Sequence, residues 1–275
     1  MNHVTQAAVQ APPAPLADEV LRLEDVTMRI AGLTAVDSLS FGVSAGQIVS
    51  LIGPNGAGKT TTFNVISGYM RATGGRVRLF GEDITGLSPD RIAQRGLVRS
   101  FQRTSVFAGC TVFDNILTGL HLRGSVGVLQ ALLRGRAFRA EEERLRAEAR
   151  EILAFVGLSG RADEMASGLS YGEQRLLGVG LALAAKPRVL LLDEPAAGLN
   201  PSETESFKAM VRRICDTGVT IVLVEHDMHM VMSISDHIVV LNHGRLIATG
   251  GPRAIQQNPD VIRAYLGAGI DRAKA

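Results

Sequence analysis

Residues Gly53-Pro54-Asn55-Gly56-Ala57-Gly58-Lys59-Thr60-Thr61 carry the pattern G-x-x-x-x-G-K-[ST], the Walker A phosphate loop. Glycines let the backbone turn and aim successive N–H groups at phosphate oxygens. A helix starting at Lys59 adds its positive N-terminal end to the same anion. Lys59 is placed to reach the β- and γ-phosphates, and Thr60 to ligate Mg2+. A second cluster follows in VLLLDEP, residues 189–195, where four apolar residues end in Asp193 and Glu194. Buried parallel strands deliver their C-terminal ends to the ligand crevice of an open sheet. Adjacent strand residues face opposite sides, so the two carboxylates take different tasks. Asp193 suits Mg2+ coordination, and Glu194 suits a general base acting on water. Such a strand end could be ordinary polar loop; beside a phosphate loop the catalytic reading prevails.

Leu169-Ser170-Tyr171-Gly172-Glu173-Gln174-Arg175 precedes a helical run. It resembles the LSGGQ signature of ATP-binding cassette (ABC) ATPases, with Tyr171 and Glu173 as variants. The order of motifs also resembles that family. Phe101-Gln102 stands as the glutamine loop, Ala197-Gly198-Leu199-Asn200 as the D-loop, and Val224-Glu225-His226-Asp227 carries the switch histidine. The resemblance covers residues 20 to 267. It implies a catalytic set of Glu194, His226 and Gln102, and a Mg2+ set of Thr60, Gln102 and Asp193. ATP is held by residues 53–61 together with Ser170 and Gly172, which form a second anion-binding helix end. In the family that end meets the γ-phosphate held by the opposite subunit, so ATP joins a head-to-tail dimer. Two departures stand out. Near the end of the first strand the family stacks adenine on an aromatic ring, but here Ile30 and Leu33 imply apolar contact instead. Asn200 replaces the usual D-loop Asp, and Asn200-Pro201-Ser202-Glu203 also reads as a helix cap.

The elements that must position these residues follow from periodicity. Residues 20–30, 35–43, 47–52, 75–80, 97–101, 188–193, 219–225 and 237–241 read as strands. Residues 59–69, 139–155, 201–215 and 227–233 read as helices, with a short one beginning at Ser88-Pro89. Strands alternating with helices at both ends predict an α/β core with a parallel sheet. Between residues 111 and 186 helical periodicity replaces the strands, which predicts an inserted subdomain. Residues 139–155 place Leu145, Ala149, Ile152 and Leu153 on one face, with Glu142 and Arg146 paired on a solvated one. The resemblance implies a P-loop NTPase (RecA-like) core, residues 20–103 and 187–250, with an N-terminal antiparallel β subdomain. Residues 104–186 form the helical subdomain, 251–267 the C-terminal helices, and 1–19 and 268–275 tails.

Composition bounds the function. The 275 residues carry a net charge of +2 and are 46% hydrophobic, which excludes a disordered chain and a basic nucleic-acid footprint. Aromatics at 4% and no Trp leave no stacking platform for single strands. Cys110 and Cys215 are too few for a disulfide framework, as in a reducing compartment. The longest apolar runs, 176–185, 189–192 and 219–224, fall short of the ~18–20 residues that span a bilayer. The N-terminal stretch lacks the basic start and apolar core of a signal peptide. The chain is therefore read as cytoplasmic, reaching a membrane through partners.

Residues 194–201 (EPAAGLNP), 224–228 (VEHDM) and 258–267 (NPDVIRAYLG) are similar to the ATPases of branched-chain amino acid importers, and the stretch 118–151 to the insert of their larger ATPase subunit. The resemblance implies a peripheral protein on the cytoplasmic face of the inner membrane. Its partners are a second ABC ATPase subunit, two integral-membrane permeases and, indirectly, a periplasmic binding protein. Related cassettes for urea or amides, aromatic acids or lipopolysaccharide are the alternatives within transport. A soluble cassette of DNA repair or translation would commonly bring coiled-coil arms or a second cassette, and a P-loop kinase has no use for LSYGEQR. The insert is expected to dock on a permease through Val106, Phe107, Val112, Phe113 and Ile116.

Overall fold

The computed structural model describes residues 18–100, 106–121 and 136–272. Strands β1 (Glu19–Ile30) and β2 (Leu33–Ser44) alternate buried and exposed positions, as strands with one covered face do. They pair antiparallel with each other and with β4 (Gly74–Leu79), and the two-residue β5 (Glu82–Asp83) closes a sheet ordered β2-β1-β4-β5. Strand β3 (Ile48–Ile52), by contrast, is buried at every position, and so are β7 (Val189–Asp193) and β8 (Thr220–Val224). A strand covered on both faces needs no polar alternation, so these segments are unbroken Val, Ile and Leu runs. With β6 (Leu97–Arg99), β9 (His237–Asn242) and β10 (Arg245–Gly250) they form a second sheet, β10-β9-β3-β8-β7-β6. Only the β9–β10 pair in it is antiparallel.

The two-residue period of these central strands divides the core. Leu190, Leu192, Ile221 and Leu223 face the helical side, while Val189, Leu191, Val222 and Val224 face the antiparallel sheet and helix α1 (Lys59–Ile66). The remaining helices before the insert reduce to a short α2 (Pro89–Gln94). The insert contributes α3 (Val112–His121), α4 (Arg136–Phe155) and α5 (Tyr171–Ala184). On α4, Leu145, Ala149 and Leu153 are buried, and Glu142 pairs with Arg146 at 3.0 Å on the outer face. Helices α6 (Pro201–Asp216) and α7 (Met228–Ile234) cover the helical side of the sheet. Helices α8 (Pro252–Gln256) and α9 (Pro259–Arg272) close the β9–β10 edge through Ile255 and Val261, which pack with Ile52 and Val240. Among the described residues no helix is long and apolar enough to cross a membrane.

Several details differ from the sequence expectation. Glu19 belongs to β1 rather than to a leading tail. Helix α1 stops at Ile66, three residues early, because Gly68 just past its end takes the left-handed conformation, φ 78°, that closes a helix; the Ser67 N–H makes the last ladder bond, to the Phe63 carbonyl at 2.9 Å. Strand β10 had no clear signal, since it is a half-buried edge whose partner β9 supplies its order. Helix α9 runs to Arg272, past the tail expected from 268, because Gly267 and Gly269 weaken a helix without stopping it.

Leu223 lies on β8 at 0% exposure, whereas Leu33 at the start of β2 is 76% exposed. Leu223→Ala is expected to destabilise the protein by about 2–5 kcal/mol. Leu33→Ala should stay within about 0.5 kcal/mol of the unaltered protein. Chemical denaturation of both variants checks the contrast, and equal losses would contradict the assignment of the core.

Candidate functional site: a phosphate loop facing two acidic strand ends

The phosphate loop leaves β3 at Gly53 and enters α1 at Lys59. Two of its glycines are fixed by neighbours. Gly53 has φ 153°, and a Cβ there would lie 2.2 Å from the Leu241 carbonyl oxygen of β9. Gly58 has φ 99°, and a Cβ there would lie 2.6 Å from the Ala35 oxygen of β2. Only glycine adopts these angles in that space. No side chain caps the start of α1, so its first N–H groups point into the loop as an anion-binding end. Lys59 is buried, and its Nζ donates to the Gly53 and Pro54 carbonyls at 2.7 and 3.0 Å. Burial pushes the Lys59 pKa down, and the charge of Glu194 opposes that shift. Thr60 stands exposed at the mouth of the loop.

Asp193 ends β7 at 2% exposure. Its Oδ2 accepts from Arg99 Nη2 at 2.5 Å, while its Oδ1 is buried without a hydrogen-bond partner. Arg99 also donates through Nη1 to Asn64 Oδ1 at 2.7 Å and Ser67 Oγ at 3.2 Å, both at the end of α1. Its guanidinium lies over the rings of Phe63 and Tyr69. Arg99 thus ties β7 to α1, a function that sequence reasoning missed. Nothing in the sequence marked it, because its partner is set by the pairing of β6 with β7, which puts Arg99 level with Leu191 and on the face of Asp193. The orphaned Oδ1 is a site that suits a hard cation. Among the described residues no three His, Cys, Asp or Glu side chains cluster to hold a metal. A divalent ion here would draw most of its ligands from phosphate and water.

Glu194 leaves the strand in a left-handed conformation, φ 45°. Its N–H donates to the Val224 carbonyl at 2.9 Å, which turns its side chain toward the end of β8. There Glu194 Oε1 meets His226 Nε2 at 2.8 Å, joining two predicted residues 32 positions apart. Glu225, between β8 and His226, is 4% exposed and accepts from the N–H groups of Ala196 at 2.8 Å and His226 at 3.1 Å. Asp227 caps α7 by accepting from His229 and Met230. Gln102, predicted to be catalytic and metal-binding, lies outside the described residues.

Ser170 and Gly172 start α5 as expected, but the box at that end has its own bonds. Ser170 Oγ accepts from the Glu173 N–H at 3.2 Å, and Glu173 accepts from the Ser170 N–H at 2.8 Å. This accounts for Glu173 in place of the usual Gln, and contact with Arg161 fixes it further. Hydrogen bonds to Ser170 are the main reason its carboxyl lies below the usual range. A Cβ on Gly172 would strike Glu203 Oε1 at 2.7 Å. Glu203 belongs to a second capping box with Asn200, so the sequence cap at 200–203 is present. The signature turn and the 197–200 turn therefore pack together, and the Tyr171 ring lies against Gly198. Ile30 and Leu33, at the predicted adenine position, are both exposed. Of the five residues expected to dock on a partner, Val112 and Ile116 are core, and Val106 and Phe113 are half-buried. This corrects the expected patch: α3 turns its apolar stripe inward against α4 and α5. Phe107 alone of the five is exposed, at 53%, and Asn115 braces its backbone through bonds of 2.7 and 3.1 Å.

A phosphate loop and two acidic strand ends on a mostly parallel sheet, with a helical insert and an antiparallel β sheet, define a P-loop ATPase cassette. The family model described as ABC transporter matches residues 36–197, and the model described as branched-chain amino acid ATP-binding cassette transporter matches 245–271. The chain is 46% identical to the high-affinity branched-chain amino acid transport ATP-binding protein BraF of Pseudomonas aeruginosa, over 90% of this chain and 98% of that protein. It is 42% identical to LivG of Escherichia coli, over 92% of this chain and 99% of that one. The ADP conformation of MJ1267, an ATP-binding cassette of an ABC transporter, superposes with a TM-score of 0.79 at 33% identity, covering 90% of this chain and 99% of that one. The chain belongs to the ABC transporter family, among the ATP-binding proteins of its branched-chain amino acid branch.

The Arg99–Asp193 pair gives a direct test of the site's framework. Arg99→Met leaves a buried carboxylate without its cation and is expected to cost about 3–5 kcal/mol. Adding Asp193→Asn should recover much of that loss. Thermal unfolding of the single and double variants checks this, and an unchanged midpoint for Arg99→Met would show that the pair carries no energy.

Proposed function

We propose that this chain hydrolyses ATP to drive an importer of branched-chain or other hydrophobic amino acids. One observation carries the chemistry: Glu194 and His226 are paired at 2.8 Å, on strand ends beside the phosphate loop. Likeness to BraF and LivG over nearly their whole length supports the substrate class. ATP lies along the loop 53–61, with its phosphates on the first N–H groups of α1. Lys59 exchanges its carbonyl partners for the β- and γ-phosphates, and its buried position strengthens that attraction. Glu194 takes the proton of the attacking water, and His226 holds the γ-phosphate and orients Glu194. Thr60 and Asp193 would hold Mg2+, which supplies charge neutralisation at the phosphates when bound.

Ser170 and Gly172 complete the site of a second ATPase subunit, so the working unit is a head-to-tail pair closed by ATP. The pair sits against two permeases on the cytoplasmic side of the membrane, served by a periplasmic binding protein. Phe107 is the braced apolar group of the docking segment, and an exposed large apolar side chain held in place suits a protein interface.

Glu194→Gln should bind ATP with unchanged affinity and lose about 10²–10⁴-fold in hydrolysis. Uptake of labelled leucine by cells lacking the chromosomal copy should return with the unaltered gene and not with this variant. Normal hydrolysis by Glu194→Gln would remove it as the base, and unaltered leucine uptake in the deletion would remove the substrate class. Phe107→Ala should leave ATP binding by the isolated chain intact while lowering uptake. Full uptake by that variant would dismiss the docking role.

A further inference from the structure

Glu225 sits where a core residue would be expected. It continues the face of β8 that carries Ile221 and Leu223 toward the helical side, and its 4% exposure matches theirs. Yet it is a carboxylate. Burial pushes its carboxyl above the usual range, the N–H groups of Ala196, His226 and Asp227 pull the other way, and the charge of Glu194 adds to the rise. These hydrogen bonds run to main chain. Oε1 accepts from Ala196, two residues after Glu194, and Oε2 accepts from His226. The carboxylate therefore bridges the two segments that carry the Glu194–His226 pair. An isolated buried carboxylate is costly, and charge-assisted bonds to N–H groups offset only part of that cost. An apolar residue would serve the core better. What the carboxylate adds is two acceptors aimed at two donors on different segments.

We propose that Glu225 is a positioning residue that locks the turn after Glu194 to the backbone of His226. The lock sets the general base and its histidine in one geometry before nucleotide arrives. This rests on the roles proposed above for Glu194 and His226. Glutamine is not an equivalent here: its amide offers one acceptor and turns a donor against a second N–H.

In the full chain, Glu225→Gln should keep its ATP affinity and lose about 10- to 100-fold in kcat, the scale of a misplaced catalytic group. The ring signals of His226, assigned by loss in His226→Gln, should move in Glu225→Gln without nucleotide. In the unaltered protein the amides of Ala196 and His226 should exchange slowly with solvent, and faster in the variant. An unmoved His226 ring and an unchanged kcat, with only the melting temperature lowered, would reduce Glu225 to a core residue. Fast exchange of both amides in the unaltered protein would overturn the lock even if the variant does not fold. The ring and exchange measurements need no hydrolysis. If they come out as expected and the unaltered protein does not turn over ATP, the lock stands and the proposed chemistry fails.

Discussion

Parallel strands β3, β8 and β7 are paired so that Leu51, Val224 and Asp193 lie level across the sheet. The next residues along the three strands are Ile52 leading into the phosphate loop, Glu225 leading into His226, and Glu194. Neighbouring strands are about 4.8 Å apart. Asp193, Glu194, Glu225 and the entry to the phosphate loop are therefore delivered within two strand spacings. A slip of one residue would turn the Asp193 carboxylate to the opposite face and break its contact with Arg99. Burial on both faces forbids such a slip, since Leu190 and Leu191 occupy different cores. The apolar strands thus set the chemistry as firmly as the polar residues do.

The carboxylates of this site are held by partners on other elements. Asp193 is held by Arg99 of β6, which in turn grips the end of α1. Glu194 meets His226, and Lys59 is held by the carbonyls of its own loop. Burial strengthens the contacts of Asp193 and Lys59, and it also makes an unmatched group there expensive. The orphaned Oδ1 of Asp193 is the exception, and it lies where a phosphate-bound cation would be wanted. The insert repeats the logic at longer range. The signature and 197–200 turns pack on each other, Gly172 against the Glu203 carboxylate and Gly198 against the Tyr171 ring.

Most of the fold was legible in the sequence, for a simple reason. A strand buried on both faces must be apolar throughout, and a glycine whose Cβ would enter a neighbour's carbonyl has no substitute. Those local requirements wrote β3, β7, β8 and the loop 53–60 into the residue types. The cap at 200–203 was legible on the same ground, because a capping box satisfies its own donors within four residues. The exposed face of α4 was likewise set by partners one turn apart.

Tertiary structure alone decided the rest. Arg99 looks like any strand-end arginine until β6 is placed beside β7. Glu225 looks like a polar neighbour of His226 until Ala196 is brought across from the adjacent strand end. The docking segment shows the converse: its five apolar residues share a composition, but packing against α4 and α5 buried two and left only Phe107 outside. Strand β10 owes its order to β9 and not to its own weak alternation. Sequence determined which groups are present and which segments are apolar, because those follow from bonds and burial within one element. Which groups meet depends on the register between elements far apart in the chain, and that register is fixed only when the two faces of the sheet are covered.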